Sequence, residues 1–194
     1  MPDKNSLKKK DFLILLLLCI GFLFFAAVQQ FGLDQQIRQE RYLEDQTYVD
    51  TCDLKYVLPY KNLYIGNFPN TSALFSRLPQ VGSIDTFRLY PDELTVRINY
   101  STSSTGKGDA EKTLLYNSAA AFALLNNLEG ILYHFTDITY QVTREDAEQC
   151  FGPVKDYLDS QAWQEKIKKP LTDPGLVSSF ASVMLKEVPV PLSD

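Results

Sequence analysis

The sequence predicts an α+β domain that follows an N-terminal transmembrane helix. Residues 12–28 contain no polar side chain except Cys19, which is the pattern of a membrane span. Beyond them, strand-type alternation and helix-type periodicity follow one another in the order strand, helix, strand, strand, helix, strand. This βαββαβ order is ferredoxin-like, so we expect a two-layer sandwich of an antiparallel sheet and helices, with extra C-terminal helices.

We expect five parts along the chain. They are a basic cytoplasmic tail at 1–11, a transmembrane anchor at 12–33, a stalk or linker at 34–58, an α+β outer domain at 59–152, and a C-terminal helical extension and tail at 153–194.

The anchor is defined by an apolar run. Phe12 to Val28 is 17 residues, which give about 26 Å of helix, near the lower limit for crossing the hydrocarbon core. Residues 31–33 can extend it. The side chains that we assign to the membrane anchor are Phe12, Leu15, Leu18, Phe22, Phe25 and Val28.

The charges on either side of the run predict its orientation. Residues 1–11 hold four lysines against two aspartates, so the rest of the chain carries −7 of a total −5. Positive residues before a span keep that end in the cytoplasm. We therefore expect a single-pass protein of the cell membrane with a cytoplasmic N-terminus and an extracytoplasmic domain. An acidic domain without a basic stripe is a poor partner for nucleic acid.

Two other interpretations of the run fit less well. A cleaved signal peptide needs small residues at both −3 and −1, but cleavage after Ala27 places Phe25 at −3, and cleavage after Val28 places valine at −1. A lipoprotein needs a small residue before its cysteine, whereas Cys19 follows Leu18 in mid-run. An uncleaved anchor is the favoured interpretation.

Turn signals and alternation predict the first elements of the domain. Residues 63–65 are apolar and end at a Gly-Asn pair, which predicts the first strand. Helix-start residues at 69–71 and an apolar stripe over 73–78, closed by a proline, predict a short helix. Residues 86–89 and 94–100 alternate and are joined by a Pro-containing turn at 90–93, which predicts a hairpin.

The second half of the domain follows from the same rules. Residues 111–128 form the strongest predicted helix, with Gly130 as its C-terminal cap. Residues 131–142 read as the last strand, and a bulge or turn near 136–137 would absorb a change of parity. Thr143 begins a further helix, and two more follow, broken at Pro170 to Gly175. The side chains expected to dock these helices are Trp163, Ile167, Phe180 and Met184.

Three short stretches carry a family resemblance. They are Asn62–Pro79, which begins NLYIGN, the strand LTVRINY at Leu94–Tyr100, and NSAAAFALLNNLEGI at Asn117–Ile131. Together they resemble the bacterial DUF4825 family, a domain of unknown function. The resemblance implies a bacterial, membrane-tethered outer domain of a kind sometimes attached to membrane metallopeptidases of the beta-lactam-sensor type. It carries over no catalytic residue.

The sequence shows no reactive constellation. The chain has one histidine, His134, and no Cys-x-x-Cys or His-Glu-x-x-His spacing, so we expect no metal, no other cofactor and no catalysis. Cys52 and Cys150 would share an oxidising compartment, where a disulfide between them would close a loop of about 100 residues. The sequence leaves that pairing open.

The function expected from these features is a binding or sensory module of unknown ligand. Its partners would be the lipid bilayer and either a membrane or envelope protein or a small ligand. One alternative is a structural or regulatory subunit of a membrane complex, bound through the helix face that carries Gly21. Another is a secreted hydrolase that uses carboxylates or Cys150. The aromatic residues that would form a recognition patch are Tyr56, Tyr60, Tyr64 and Phe68.

Overall fold

A single long helix begins the chain. The computed structural model describes residues 4–104 and 110–189, and the chain divides into two units, Met1–Glu44 and Asp45–Asp194. Helix α1 runs without interruption over Lys4–Asp45, 42 residues. Its 18-residue window of highest mean hydropathy reaches 2.3 and buries nothing within the protein. The helix is long and apolar enough to span a membrane. Residues 1–3 and 190–194 of the two predicted tails lie outside the described residues.

The second unit begins earlier than the domain boundary predicted at residue 59. Val49, Leu54 and Val57 belong to the hydrophobic core, so most of the segment predicted as linker after residue 45 is part of the domain. Lys168 holds this segment in place, since its Nζ donates to the carbonyl oxygens of Asp50 and Cys52 at 2.9 and 2.8 Å. Because residues 34–50 are mostly charged or polar, the sequence did not indicate that Val49 and the apolar residues after it belong to the domain.

The sheet is mixed and has five strands. They are β1 Ile84–Tyr90, β2 Thr95–Tyr100, β3 Gly130–His134, β4 Thr139–Thr143 and β5 Lys186–Val188, in the spatial order β1-β2-β3-β4-β5. The pair β2–β3 is parallel, and the other three pairs are antiparallel. The predicted α+β class is confirmed. The antiparallel sheet with ferredoxin-like order is wrong, because the strands lie side by side in chain order and none is inserted between earlier ones.

Two differences in strand assignment account for this order. Residues 63–65 form no strand: the contact there is an isolated bridge between Asn62 and Leu125, and of the three residues only Ile65 is buried. The segment predicted as one strand over 131–142 is the hairpin β3–β4, with a turn at the point where the parity changes. The domain is therefore built from two hairpins joined by a helix.

The described residues of the domain also form six α-helices. They are α2 Leu54–Val57, α3 Phe68–Arg77, α4 Ala110–Leu124, α5 Arg144–Phe151, α6 Ser160–Trp163 and α7 Pro174–Met184. A π-helical turn, Gln164–Lys168, continues α6, and short 3₁₀ segments lie at Leu58–Tyr60, Pro91–Glu93, Val154–Asp156 and Pro170–Thr172.

Helix ends were predicted less accurately than helices. Asn67 caps α3 by accepting a hydrogen bond from the Asn70 N–H, and Thr143 caps α5 as predicted. Helix α4 ends at Leu124, four residues before its predicted end. Gly130 is the first residue of β3, where an added Cβ would lie 2.6 Å from Thr95 Oγ1, so close strand contact explains this glycine better than a helix cap.

Helix α4 is the centre of the core. Every residue from Thr113 to Leu124 is buried, because the sheet covers one side and the C-terminal helices cover the other. On the sheet side, Ser118 Oγ lies 3.1 Å from the Tyr133 hydroxyl. On the other side, the Trp163 indole N–H donates to the Tyr116 hydroxyl at 3.3 Å. The predicted docking of the C-terminal helices is confirmed, with Phe180 only half-buried.

Arg144 closes the C-terminal end of α4 from the first position of α5. Its guanidinium donates to the carbonyl oxygens of Phe122, Leu125 and Leu128 at 2.9 to 3.0 Å. The Phe122 carbonyl is one of the last four of α4, which have no partner within the helix. The Leu125 carbonyl also accepts from the Leu128 N–H. The side chain also lies over the Phe122 ring, 5.2 Å from its centroid. The residue is only 7% exposed, so a positive charge is buried against the negative end of the helix.

Replacing Arg144 by methionine is expected to lower the free energy of unfolding by about 3 kcal/mol, because the buried carbonyls of Phe122 and Leu128 then lose their donor. Lysine should recover part of this loss, since one ammonium group can reach some of the carbonyls. The measurement is chemical denaturation of the full chain in detergent, followed by the fluorescence of Trp163, the only tryptophan. Lys155→Met, at an exposed position, is the control and should change stability by less than about 0.5 kcal/mol. Equal losses in the two variants would contradict the capping role.

Strand β5 pairs with β4 through its backbone and is also joined to α5 by an ion pair. Lys186 Nζ lies 2.7 and 2.8 Å from the two carboxylate oxygens of Asp146. Partial burial by itself would raise the pKa of Asp146, but hydrogen bonds from Lys186 and Thr143 outweigh it and hold the pKa below 3.8. The pair thus favours the ionised carboxylate in the folded protein.

This pair makes stability depend on acid pH. The contribution of Asp146 is complete above the unfolded pKa of 3.8 and is lost as the pH falls through the lower folded value. Lys186→Met is therefore expected to destabilise the protein by about 1 kcal/mol at neutral pH, a modest value because the lysine is 55% exposed. Urea titrations between about pH 7 and about pH 2 should show this difference shrinking at the acid end. Lys169→Met, which removes an exposed lysine, serves as control, and a pH-independent loss for Lys186→Met would refute the linkage.

Candidate functional site

The predicted anchor side chains all lie on the surface of α1. Their exposed fractions run from 54% to 72% for Phe12, Leu15, Leu18, Phe22, Phe25 and Val28. Such a continuous apolar surface is far larger than a water-soluble helix tolerates. It is suited to lipid on all sides of the helix.

The cysteines are free thiols in the structure. Cys52 is buried and donates a hydrogen bond to the Val49 carbonyl, while Cys150 is half-buried on α5, so the disulfide considered for this pair is not formed. Burial raises the pKa of both thiols. They are protonated at neutral pH and therefore poor nucleophiles.

The other titratable groups of the core serve packing. Burial raises the pKa of Tyr100, Tyr116 and Tyr133 above the ordinary value of 10. His134 is half-buried on β3, and its Nδ1 lies 2.7 Å from Thr139 Oγ1. Among the described residues, no group of three or more His, Cys, Asp or Glu side chains is placed to hold a metal ion.

The predicted aromatic patch divides into covered and exposed members. Tyr56 and Tyr60 are half-buried and pack against the core, and Arg77 lies over the Tyr60 ring at 4.7 Å. Tyr64 is 66% exposed and Phe68 is 49% exposed. Leu63, which the sequence placed in a strand, is 60% exposed beside them. We call Leu63, Tyr64 and Phe68 the apolar loop.

The apolar loop is held by hydrogen bonds on both sides. Before it, Asn62 exchanges backbone hydrogen bonds with the end of α4, donating to Leu124 O and accepting from Asn126 N, both at 2.9 Å. Within it, the N–H of buried Ile65 donates to Asn127 Oδ1 at 2.8 Å. The Ile65 carbonyl accepts from Thr71 Oγ1 at 2.9 Å. The backbone is thus fixed at Asn62 and Ile65 while the intervening side chains face solvent.

Phe68 links this loop to the sheet. Its ring meets the Phe87 ring edge-on, with centroids 5.8 Å apart, and Phe87 also contacts Phe75 of α3 at 5.5 Å. Aromatic pairs of this geometry are favourable beyond their burial. Phe68 is therefore held in position although half of its surface is open.

The sheet has a second, polar face away from α4. One row across all five strands consists of Arg88, Arg97, Leu132, Gln141 and Lys186, which are successive backbone partners. These residues alternate with the buried Val96, Ile98, Ile131 and Val142. We call the side that carries this row the open sheet face. The sequence predicted which residues share this side of the first hairpin, but not which of them lie opposite one another.

Two clefts lie among the described residues of the domain. One, of about 610 Å³, lies between the end of α3 and residues 80–84, and its polar lining is uncharged. The other, of about 320 Å³, is lined by Cys52, Trp163 and Lys168 among others, and these three serve the core or the attachment of the 50–52 segment. Neither cleft contains a nucleophile paired with a base, so neither indicates a reaction.

These features define the class of the protein. It is an α+β domain with a mixed sheet, together with one N-terminal helix long and apolar enough to span a membrane.

The chain was also compared with known protein families. Residues 57–145 match the family described as "Domain of unknown function (DUF4825)". This match supports the resemblance to the family that the sequence showed. The match includes the apolar loop, α3, α4 and strands β1 to β4, whereas β5 and α7 lie beyond it. Neither the curated proteins nor the solved structures gave a match.

Proposed function

We propose that this chain is a single-pass membrane protein that holds a non-catalytic binding domain outside the cytoplasm. The anchor is the apolar part of α1, and the four lysines of residues 1–11 keep the N-terminus in the cytoplasm. The acidic remainder of the chain is suited to translocation.

The binding role is supported chiefly by the apolar loop. Leu63, Tyr64 and Phe68 place three large apolar side chains in solvent within six residues, inside the segment that matches the family. Exposed apolar clusters of this kind mark interaction sites. Because hydrogen bonds already fix the loop, little conformational entropy is lost when a partner covers it. The partner that fits is a membrane or envelope protein with an apolar surface.

The topology is tested with the full chain expressed in bacterial cells and an epitope tag at each terminus. Protease added to intact spheroplasts should remove the C-terminal tag and leave the N-terminal tag protected, because the domain lies outside. Before protease is added, both tags should be found on one membrane-bound chain. Lysed spheroplasts, in which both tags become accessible, are the control.

Two results would contradict the proposed topology. Loss of the N-terminal tag from the mature protein would show a cleaved signal peptide. Protection of the C-terminal tag in intact spheroplasts would show a cytoplasmic domain.

The apolar loop is tested by a photo-crosslinking amino acid at Tyr64 in the native membrane. It should capture one defined partner, whereas the same group at Leu176, an exposed apolar residue of α7, should not. Leu63→Ser combined with Phe68→Ser should abolish the capture by Tyr64 at a loss of about 1 kcal/mol in stability, since Leu63 is largely exposed and Phe68 loses its ring contact with Phe87. The same capture from Leu176, or capture that survives the double substitution, would rule out the loop as the recognition surface.

A further inference from the structure

The open sheet face brings two arginines together. Arg88 of β1 and Arg97 of β2 are backbone partners in an antiparallel pair. Residues directly opposite in such a pair have Cβ atoms about 5 Å apart, and like charges there destabilise the sheet. The next residue in the row, Leu132, is uncharged. In a chain whose net charge is −5, this is a local concentration of positive charge.

Arg97 is oriented by its neighbours through one atom only. Its Nε donates to Asn99 Oδ1 at 2.8 Å, and Asn99 Nδ2 donates to Thr86 Oγ1 at 2.6 Å. Because Nε can only donate, the amide orientation of Asn99 is fixed. Within the described part of the chain, no ion pair and no further hydrogen bond involves the Nη groups of Arg97. The orientation of the guanidinium is therefore fixed. Its two Nη groups, which form the edge that binds carboxylates, have no partner among the described residues.

His134 reports the electrostatic state of this face. It is the backbone partner of Asn99 and holds Thr139 through its Nδ1. Its pKa is lowered by partial burial and, second, by the positive charge of Arg97. A carboxylate placed near Arg97 would offset that charge and raise the pKa of His134.

The shape of the face selects its occupant. Free phosphate is usually held by several converging backbone N–H groups, as at a helix N-terminus. Here the donors are side chains that stand in a row on a sheet, including Arg97 and Gln141, with Leu132 between them. Arginine beside polar and apolar groups is the composition of a protein interface.

We propose that the open sheet face, through Arg88 and Arg97, binds an acidic segment of a partner protein by its carboxylates. This proposal adds the chemistry of the partner to the binding function proposed above, and it rests on that function. It uses a surface separate from the apolar loop, so crosslinking at Tyr64 and binding at Arg97 succeed or fail independently.

The test uses the full chain in neutral-lipid nanodiscs, with labelled histidine and a purification tag that contains none. His134 is the only histidine, so its NMR signals report this face alone. A hexaglutamate peptide should shift these signals saturably and raise the pKa of His134, and the effect should weaken with added salt. Hexalysine should have no effect.

Matched variants separate this site from general charge. Arg97→Gln should weaken hexaglutamate binding about tenfold, and Arg97→Lys should recover only part of it, because the bidentate geometry is lost. Lys155→Gln removes one exposed positive charge elsewhere and should leave binding unchanged. Arg88→Gln should also weaken binding, because it removes a positive charge beside Arg97.

Four results would overturn the proposal. The first is equal binding by Arg97→Gln and wild type. The second is an equal response of His134 to inorganic phosphate, which would indicate a small-anion site. The third is a response to anionic-lipid nanodiscs without peptide, which would indicate a membrane surface. The fourth is hexaglutamate binding by Arg88→Gln equal to that of wild type, which would exclude Arg88 from the site.

Discussion

The buried guanidinium of Arg144 is the interaction on which the rest of the domain depends. It joins the end of α4 to the start of α5, and ion pairs with Glu129 and Glu148 at 3.3 and 3.7 Å partly neutralise it. Because α4 fills the core between the sheet and the C-terminal helices, its position decides where both layers lie. The turn after α4 also supplies Asn126 and Asn127, which hold the apolar loop. One buried cation thus fixes the core and, through it, the candidate recognition surface.

The sequence was informative where one physical signal acted alone. Strict alternation predicted the β1–β2 hairpin, and cap and proline chemistry predicted α3 and α5. Prediction from the sequence failed where one sequence pattern fits two different structures. The apolar triplet at 63–65 resembles a strand, but two of its side chains face solvent, and no local rule separates an exposed apolar loop from a buried strand. Gly130 likewise fits a helix cap or a close strand contact, and only Thr95 distinguishes them.

The candidate sites show the same limit. The sequence singled out Tyr64 and Phe68 but could not separate them from Tyr56 and Tyr60, because burial depends on contacts with distant parts of the chain. The opposition of Arg88 and Arg97 requires the register of the hairpin. That register depends on the 3₁₀ turn after β1 and on the left-handed conformation of Leu94, at φ 51°. A non-glycine residue with this conformation is uncommon, and the residues around Leu94 do not predict it.

The position of β5 has a consequence for biosynthesis. The last strand and α7 complete the sheet and the core, yet they leave the ribosome about 150 residues after the apolar part of α1, on the order of ten seconds later. In the proposed topology, the helix would enter the bilayer first, and the nascent domain would fold while confined to a surface. An incomplete core would then expose α4 beside the membrane until the final segment arrives. This interval is when chaperones or proteases of the envelope would have access to the chain.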